Sequence, residues 1–220
     1  MTIWMQTSSR RAFDLLAPRA ADVDFQNDVA PALAGTNRFC GHAFQRSKFG
    51  SLRHYTVAQH CALGAIYLAS IGDDEAAAAF LLHDAHEAYI GDIATPAADA
   101  IDTPIDDDGH IRLAKVGHAR AALSALKARI DAAVFAAAGL RFPRPATVKE
   151  IDLRMLRTER DQLLGVAPRP WHAAIETAKP LPITIEIWPP SVAETYWLEC
   201  FGYLLPQVGS APVVTSEALT

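Results

Sequence analysis

Ala76-Ala77-Ala78-Ala79-Phe80-Leu81-Leu82-His83-Asp84-Ala85-His86-Glu87-Ala88-Tyr89-Ile90 is the stretch on which the reading of this chain turns. Seven apolar side chains run directly into four that carry charge or bind metals, with no turn residue between them. A segment this apolar belongs inside, where an unpaired charge costs several kcal/mol. A divalent cation neutralises such groups and brings chemistry with it. The same letters also suit a buried structural ion pair, because a His-Asp pair alone is common by chance.

Outward from that stretch, helix signals dominate. Thr56-Val57-Ala58-Gln59 has the form of a capping box, and the apolar face of Ala62, Leu63, Ile66, Tyr67 and Ala69 continues to Gly72. Asp73 or Asp74 is placed to cap the next helix, which is expected to run through His83-Asp84 to Gly91. An Ala-rich helix is predicted from about Ile111 to Ala138, and one capped at Thr147 from there to Leu164. A last helix is predicted from Ser191 to about Leu205. Ile183-Thr184-Ile185-Glu186-Ile187 alternates with period two between prolines and reads as a short strand, with Thr2-Ile3-Trp4-Met5 as its expected partner. Residues 34–55 lack periodicity and read as loop, a length that points to function or disorder. The expected architecture is all-α, one domain over residues 1–220 with a core at about 38–164. The 183–205 strand and helix would pack on that core.

Composition bounds the rest. With 220 residues, half of them hydrophobic, the chain can build one substantial core. Its net charge is −5, with an Asp106-Asp107-Asp108 run and no Lys/Arg stripe, which argues against binding polymeric nucleic acid. A small anionic ligand needs only a few convergent arginines or a metal. Cys40, Cys61 and Cys200 form no C-x-x-C pair, which fits a reducing compartment and argues against a thiolate zinc site. No apolar run approaches the ~20 residues of a membrane span, and Met1 to Arg11 lacks the pattern of a signal peptide. A cytoplasmic protein without membrane partners is the expectation.

Four further residues give the His83-Asp84 pair its weight. His60 falls in the first turn of the preceding helix, so antiparallel neighbours could bring it beside His83. Asp152 is a carboxylate between Ile151 and Leu153 in a later helix. Glu87 is four residues after His83 and three after Asp84, on their helix face, and Asp92 follows Gly91. His86-Glu87 is not a zinc-protease H-E-x-x-H, since Ile90 stands where the second His would be. His86 itself reads as packing or support. His42, His54, His110, His118 and His172 read as exposed, and Trp171, Trp188 and Trp197 as packing aromatics around the C-terminal helix.

In these features the sequence resembles the HD-domain metal-dependent phosphohydrolases, and within them the bacterial 5′-deoxynucleotidase branch. That branch carries His-Asp-x-x-Glu-x-x-x-Gly-Asp-x-x-x-Pro, which His83 to Pro96 matches at each fixed position. The likeness covers about Arg38 to Leu164. It implies an HD-type helical bundle and one divalent metal ion (Mn, Co, Fe or Zn) held by His60, His83, Asp84 and Asp152. It further implies that Asp92 handles the attacking water and that Glu87 supports it. Arg38-Phe39 is the best match to the family's Arg-aromatic pair that grips phosphate and screens the sugar. Here, however, the aromatic is Phe rather than Trp and the gap to His60 is longer. Arg53 and Arg46 are alternative phosphate contacts. The implied activity is hydrolysis of a 5′-(deoxy)nucleoside monophosphate to nucleoside and phosphate. Hydrolysis of deoxynucleoside triphosphates to tripolyphosphate is the second reading, and a non-catalytic nucleotide-binding module the third. Dimers are usual for the resembled branch, so a homodimer is the expected assembly.

Overall fold

The chain opens with a hairpin rather than a lone strand. β1 (Trp4–Gln6) pairs antiparallel with β2 (Ala12–Asp14), Met5 opposite Phe13. Phe13 is fully buried and stacks on Tyr89, ring centroids 3.7 Å apart, which fastens the hairpin to the core. The computed structural model describes residues 3–46, 48, 50–103 and 118–209. After β2 come two single helical turns (Ala20–Asp22 and Phe25–Val29) and α1 (Ala30–Gly35). A turn at Arg38–Gly41 then leads into a second hairpin, β3 (Phe44–Arg46) with β4 (Leu52–His54). The rest is helical: α2 (Val57–Ser70), α3 (Asp74–Leu81), α4 (Glu87–Ile90), α5 (Thr95–Ile101), α6 (His118–Ala137), α7 (Ala146–Glu159), α8 (Ala173–Thr177), α9 (Pro190–Leu204) and α10 (Pro206–Gly209). The described residues are thus mostly helical, with two small antiparallel hairpins.

Two of the predicted caps form. The Thr56 hydroxyl accepts from the Gln59 amide at 3.3 Å, and Asp73 accepts from the Ala76 amide at 3.0 Å. Two do not. α7 and α9 start one residue earlier than predicted, after Pro145 and Pro189, without a side-chain cap. Proline's fixed φ sets the entry in both places, so Thr147 and Ser191 fall inside the first turn.

The helix predicted through His83-Asp84 is broken. α3 stops at Leu81, single turns closed by His83 N–H to Phe80 O and Glu87 N–H to Asp84 O follow, and α4 resumes at Glu87. Consecutive residues on a regular helix point about 100° apart. Unwinding the chain at the pair is what lets His83 Nε2 and Asp84 Oδ2 meet at 3.2 Å. Gly91, with φ 75°, then turns the chain out of α4.

The strand predicted at residues 183–187 is absent, and β1 pairs with β2 instead. The segment is extended, but glutamine side chains take the place of a neighbouring strand. Gln162 donates to Ile183 O and accepts from Ile185 N–H, while Gln59 donates to Glu186 O and accepts from Trp188 N–H. Each primary amide supplies one donor and one acceptor, which is what a strand edge offers. Residues 34–55, expected as loop, contain the Arg38–Gly41 turn and the second hairpin. The predicted start of the Ala-rich helix, His110 and the Asp106-Asp107-Asp108 run lie outside the described residues.

One apolar cluster extends from Phe13 to Leu205. Phe25 and Phe201 pack α9 against the N-terminal turns at 4.7 Å, and Trp197 is fully buried on α9. Where α2 crosses α3, Gly64 leaves space for the Phe80 ring; a Cβ there would collide with it. Phe80 in turn lies against His60 and His83, ring centroids 5.5 and 4.4 Å away. The helix crossing therefore sets where the imidazoles sit.

Candidate metal centre

Four side chains from α2, the turn after α3, and α7 converge. His60 Nε2 and His83 Nε2 are 3.3 Å apart. Asp84 Oδ2 stands 3.9 Å from the first and 3.2 Å from the second, and Asp152 Oδ1 is 3.7 Å from both. Both imidazoles are buried, and their outer nitrogens are already committed. His83 Nδ1 donates to Phe80 O at 2.6 Å, and His60 Nδ1 donates to Glu159 Oε1. A carbonyl and a carboxylate can only accept, so Nδ1 carries the hydrogen in both rings and the Nε2 lone pairs face each other. Two lone pairs and two carboxylate oxygens at this range repel unless something positive lies among them.

In the metal-free protein a proton plays that part. Burial alone would pull the His83 pKa down. The Asp84 charge, with hydrogen bonds between His83 and Asp152, Asp84 and Cys61, outweighs burial and holds it well above the ordinary value. Burial likewise raises Asp84 and Asp152, but the adjacent imidazolium leaves both carboxylates well below their usual range. His60, His83 and Asp84 form a group that could hold a divalent ion, its imidazoles fixed from behind by hydrogen bonds, and the half-buried Asp152 carboxylate, 3.7 Å from both imidazoles, stands beside it.

The backing is a buried network that the sequence reading missed. Glu159 is fully buried and gathers three donors: His60 Nδ1, Tyr55 Oη at 2.9 Å and Arg38 Nη2 at 3.3 Å. Burial works against its charge, yet Arg38, His60 and the Tyr55 hydroxyl keep its pKa lowered. Arg38 spans Glu159 and Asp84, with Nη1 3.3 Å from Asp84 Oδ2, and its buried Nε has no partner. Phe39 and Cys40, just after it, both adopt left-handed backbone, φ 55° and 52°. Such residues cost of order 1–3 kcal/mol each. The turn they make carries Arg38 inward while Phe39 stays half-buried, its ring 5.5 Å from the guanidinium.

The remaining candidates divide. Glu87 is buried, 3.9 Å from Lys127 Nζ. Burial, followed by the charges of Asp84 and Asp92, pushes its pKa up to about 9. Asp92 is half-buried just beyond α4. Arg53 is exposed on β4 and Arg46 on β3, where Arg46 lies over Phe44; neither hydrogen-bonds to the cluster. His86 is buried and donates from Nδ1 to Asp131 Oδ1 at 2.8 Å. Arg144 ties Asp131 at 2.9 Å and also donates to His83 O, closing a loop behind the centre. Trp197 and Trp188 pack in or on α9, whereas Trp171 lies away from it, 6.4 Å from Phe39 and under Arg160.

Of the residues missed, Glu159 left a trace in sequence. It follows Asp152 by seven, two turns of helix, and so shares its face. Asp131 stands between Ile130 and a run of alanines. Tyr55 and Arg144 left none. Among the described residues no helix is long and apolar enough to cross a membrane. No family model and no curated protein matches this chain.

Proposed function

We propose that this chain is an HD-type metal-dependent phosphohydrolase that converts 5′-(deoxy)nucleoside monophosphates to nucleoside and phosphate. The observation that carries the reading is the pair of Nε2 lone pairs turned toward each other between Asp84 and Asp152. His60, His83, Asp84 and Asp152 would hold one ion of the Mn, Co, Fe or Zn class, which supplies Lewis acidity toward a phosphoryl oxygen. Glu159 and Phe80 O fix the ring orientation of the two histidines, so the donors need no reorganisation to bind. Arg38 brings a permanent positive charge beside Asp84, suited to a phosphate dianion. Asp92 accepts the proton of the attacking water at a carboxylate oxygen. Glu87, holding its own proton in the metal-free protein, orients that water. The water oxygen bonds to phosphorus as the P–O bond to the 5′ oxygen breaks, and the proton taken up by Asp92 is returned through solvent to that oxygen, which leaves as the nucleoside hydroxyl.

Turnover of dAMP and dATP by protein loaded with Mn²⁺ or Co²⁺, with products identified as phosphate or tripolyphosphate, tests the reading. Phosphate from dAMP is expected. Asp92→Asn should retain the metal and lose 10²–10⁴-fold in rate, whereas Asp84→Ala should lose the metal. Tripolyphosphate from dATP would move the substrate to the triphosphate, and nucleotide binding without turnover would make the chain a binding module.

A further inference from the structure

His86 and Glu87 leave a pair of buried polar atoms that the four-donor centre does not use. His86 is 3% exposed and Glu87 5%, yet His86 Nε2 and Glu87 Oε2 have no hydrogen-bond partner. A buried polar atom without a partner costs about 1–3 kcal/mol, so two together call for an explanation. The nearest contact between the two side chains, His86 Nε2 to Glu87 Oε1, is 3.9 Å and too long for a hydrogen bond. His86 is also prepared as His60 and His83 are. Its Nδ1–H is given to Asp131, itself locked by Arg144, so Nε2 presents a lone pair. Ligand atoms of Asp84, His86 and Glu87 all lie within 4.8 Å of one another.

The geometry points to a second divalent-cation position formed by Asp84, His86 and Glu87, beside the one proposed above and sharing Asp84 with it. It rests on the proposed centre only through that shared carboxylate. One imidazole and two carboxylates form a donor set for Mn²⁺, Fe²⁺ or Zn²⁺. An ion there satisfies both orphaned atoms at once. Lys127, the one cation within 4 Å of Glu87 among the described residues, has a side chain that reaches solvent and can swing away. Two ions sharing a carboxylate would place charge on both sides of a phosphoryl group and its attacking water.

The test is the number of Mn²⁺ ions per chain at saturation, by equilibrium dialysis and elemental analysis, together with the frozen-solution electron paramagnetic resonance spectrum. Wild type should take up two ions whose spectrum shows exchange coupling, as expected for a carboxylate-bridged pair. His86→Gln should weaken the second ion at least about tenfold and leave an uncoupled signal from the first. Circular dichroism checks that the variant is folded, and if it is not, Glu87→Gln takes its place. One ion per wild-type chain overturns the second position and leaves the first standing. Two ions that survive His86→Gln or Glu87→Gln overturn it as well. No ion bound to wild type would overturn both.

Discussion

Replacing Glu159 with Gln changes one oxygen to an amide NH₂ in a site with no solvent to compensate. His60 Nδ1 and Tyr55 Oη converge on Oε1, and Arg38 meets Oε2. With the amide oxygen left at Oε1, the NH₂ group faces the Arg38 guanidinium, donor against donor. Turned over, it faces the His60 N–H instead. Either way a buried donor loses its acceptor and the Arg38 charge loses one of its two carboxylates. Breaking a buried ion pair by removing one partner costs about 3–5 kcal/mol. Arg38 keeps Asp84 and the lost contact is a long one at 3.3 Å, which puts the expected cost near the lower end, about 3 kcal/mol. Tyr55→Phe removes one hydrogen bond to the same charged oxygen and should cost about 1.5–3 kcal/mol. Because Glu159 orients His60, Glu159→Gln should also weaken metal binding about 10–100-fold. Urea denaturation of the metal-free protein reads the first effect, and equilibrium dialysis with Mn²⁺ reads the second. A stability loss under 1 kcal/mol with metal affinity unchanged would refute the reasoning, because Glu159 would then be a bystander.

Two further perturbations reach the centre from other sides. Gly64→Ala pushes a methyl into the Phe80 ring at the α2–α3 crossing and should destabilise by about 1–3 kcal/mol or more. Since Phe80 touches both imidazoles, thermal melts should fall together with metal retention. In the metal-free protein Glu87 keeps its proton to about pH 9, whereas the unfolded chain releases it near 4.5. Above pH 4.5 the unfolded state therefore binds fewer protons, and stability falls as pH rises to 9, by roughly 3 kcal/mol by pH 7. Glu87→Gln cannot titrate, so its stability advantage over wild type should grow across that window. Parallel pH profiles of the two proteins would count against a protonated Glu87.

What could be read from sequence follows from how far each interaction reaches along the chain. Thr56 and Asp73 cap helices through hydrogen bonds three residues long, and local pattern was enough to find them. The strand at 183–187 failed because alternation reports an extended backbone but not its partner. That partner is a set of glutamines, Gln45, Gln59 and Gln162, which are 142, 127 and 21 residues away in sequence and which no window of periodicity contains. The unbroken helix through His83-Asp84 failed for a different reason. Propensity favours helix across the alanines and leucines, but convergence of two adjacent side chains on His60 requires that the helix stop. Local preference gave way to the geometry of the centre at the residues where chemistry is expected, the usual place for such a conflict.

That same conflict explains why the donors were legible and their supports were not. A charge inside an apolar run is conspicuous in one dimension, which singles out His83, Asp84 and Asp152, while His60 is singled out by its place in the first turn of the preceding helix. Glu159 and Arg38 compensate each other across 121 residues; Arg38 is expected from sequence to grip phosphate rather than to pair with a carboxylate, and Glu159 alone resembles an ordinary polar residue at a helix end. Burial is what makes the pair matter, and burial is a property of the fold. It follows that the supports are the more informative residues to mutate. Loss of a donor removes the ion under almost any hypothesis. Loss of Glu159 weakens the ion only if His60 must be held in one tautomer and one orientation.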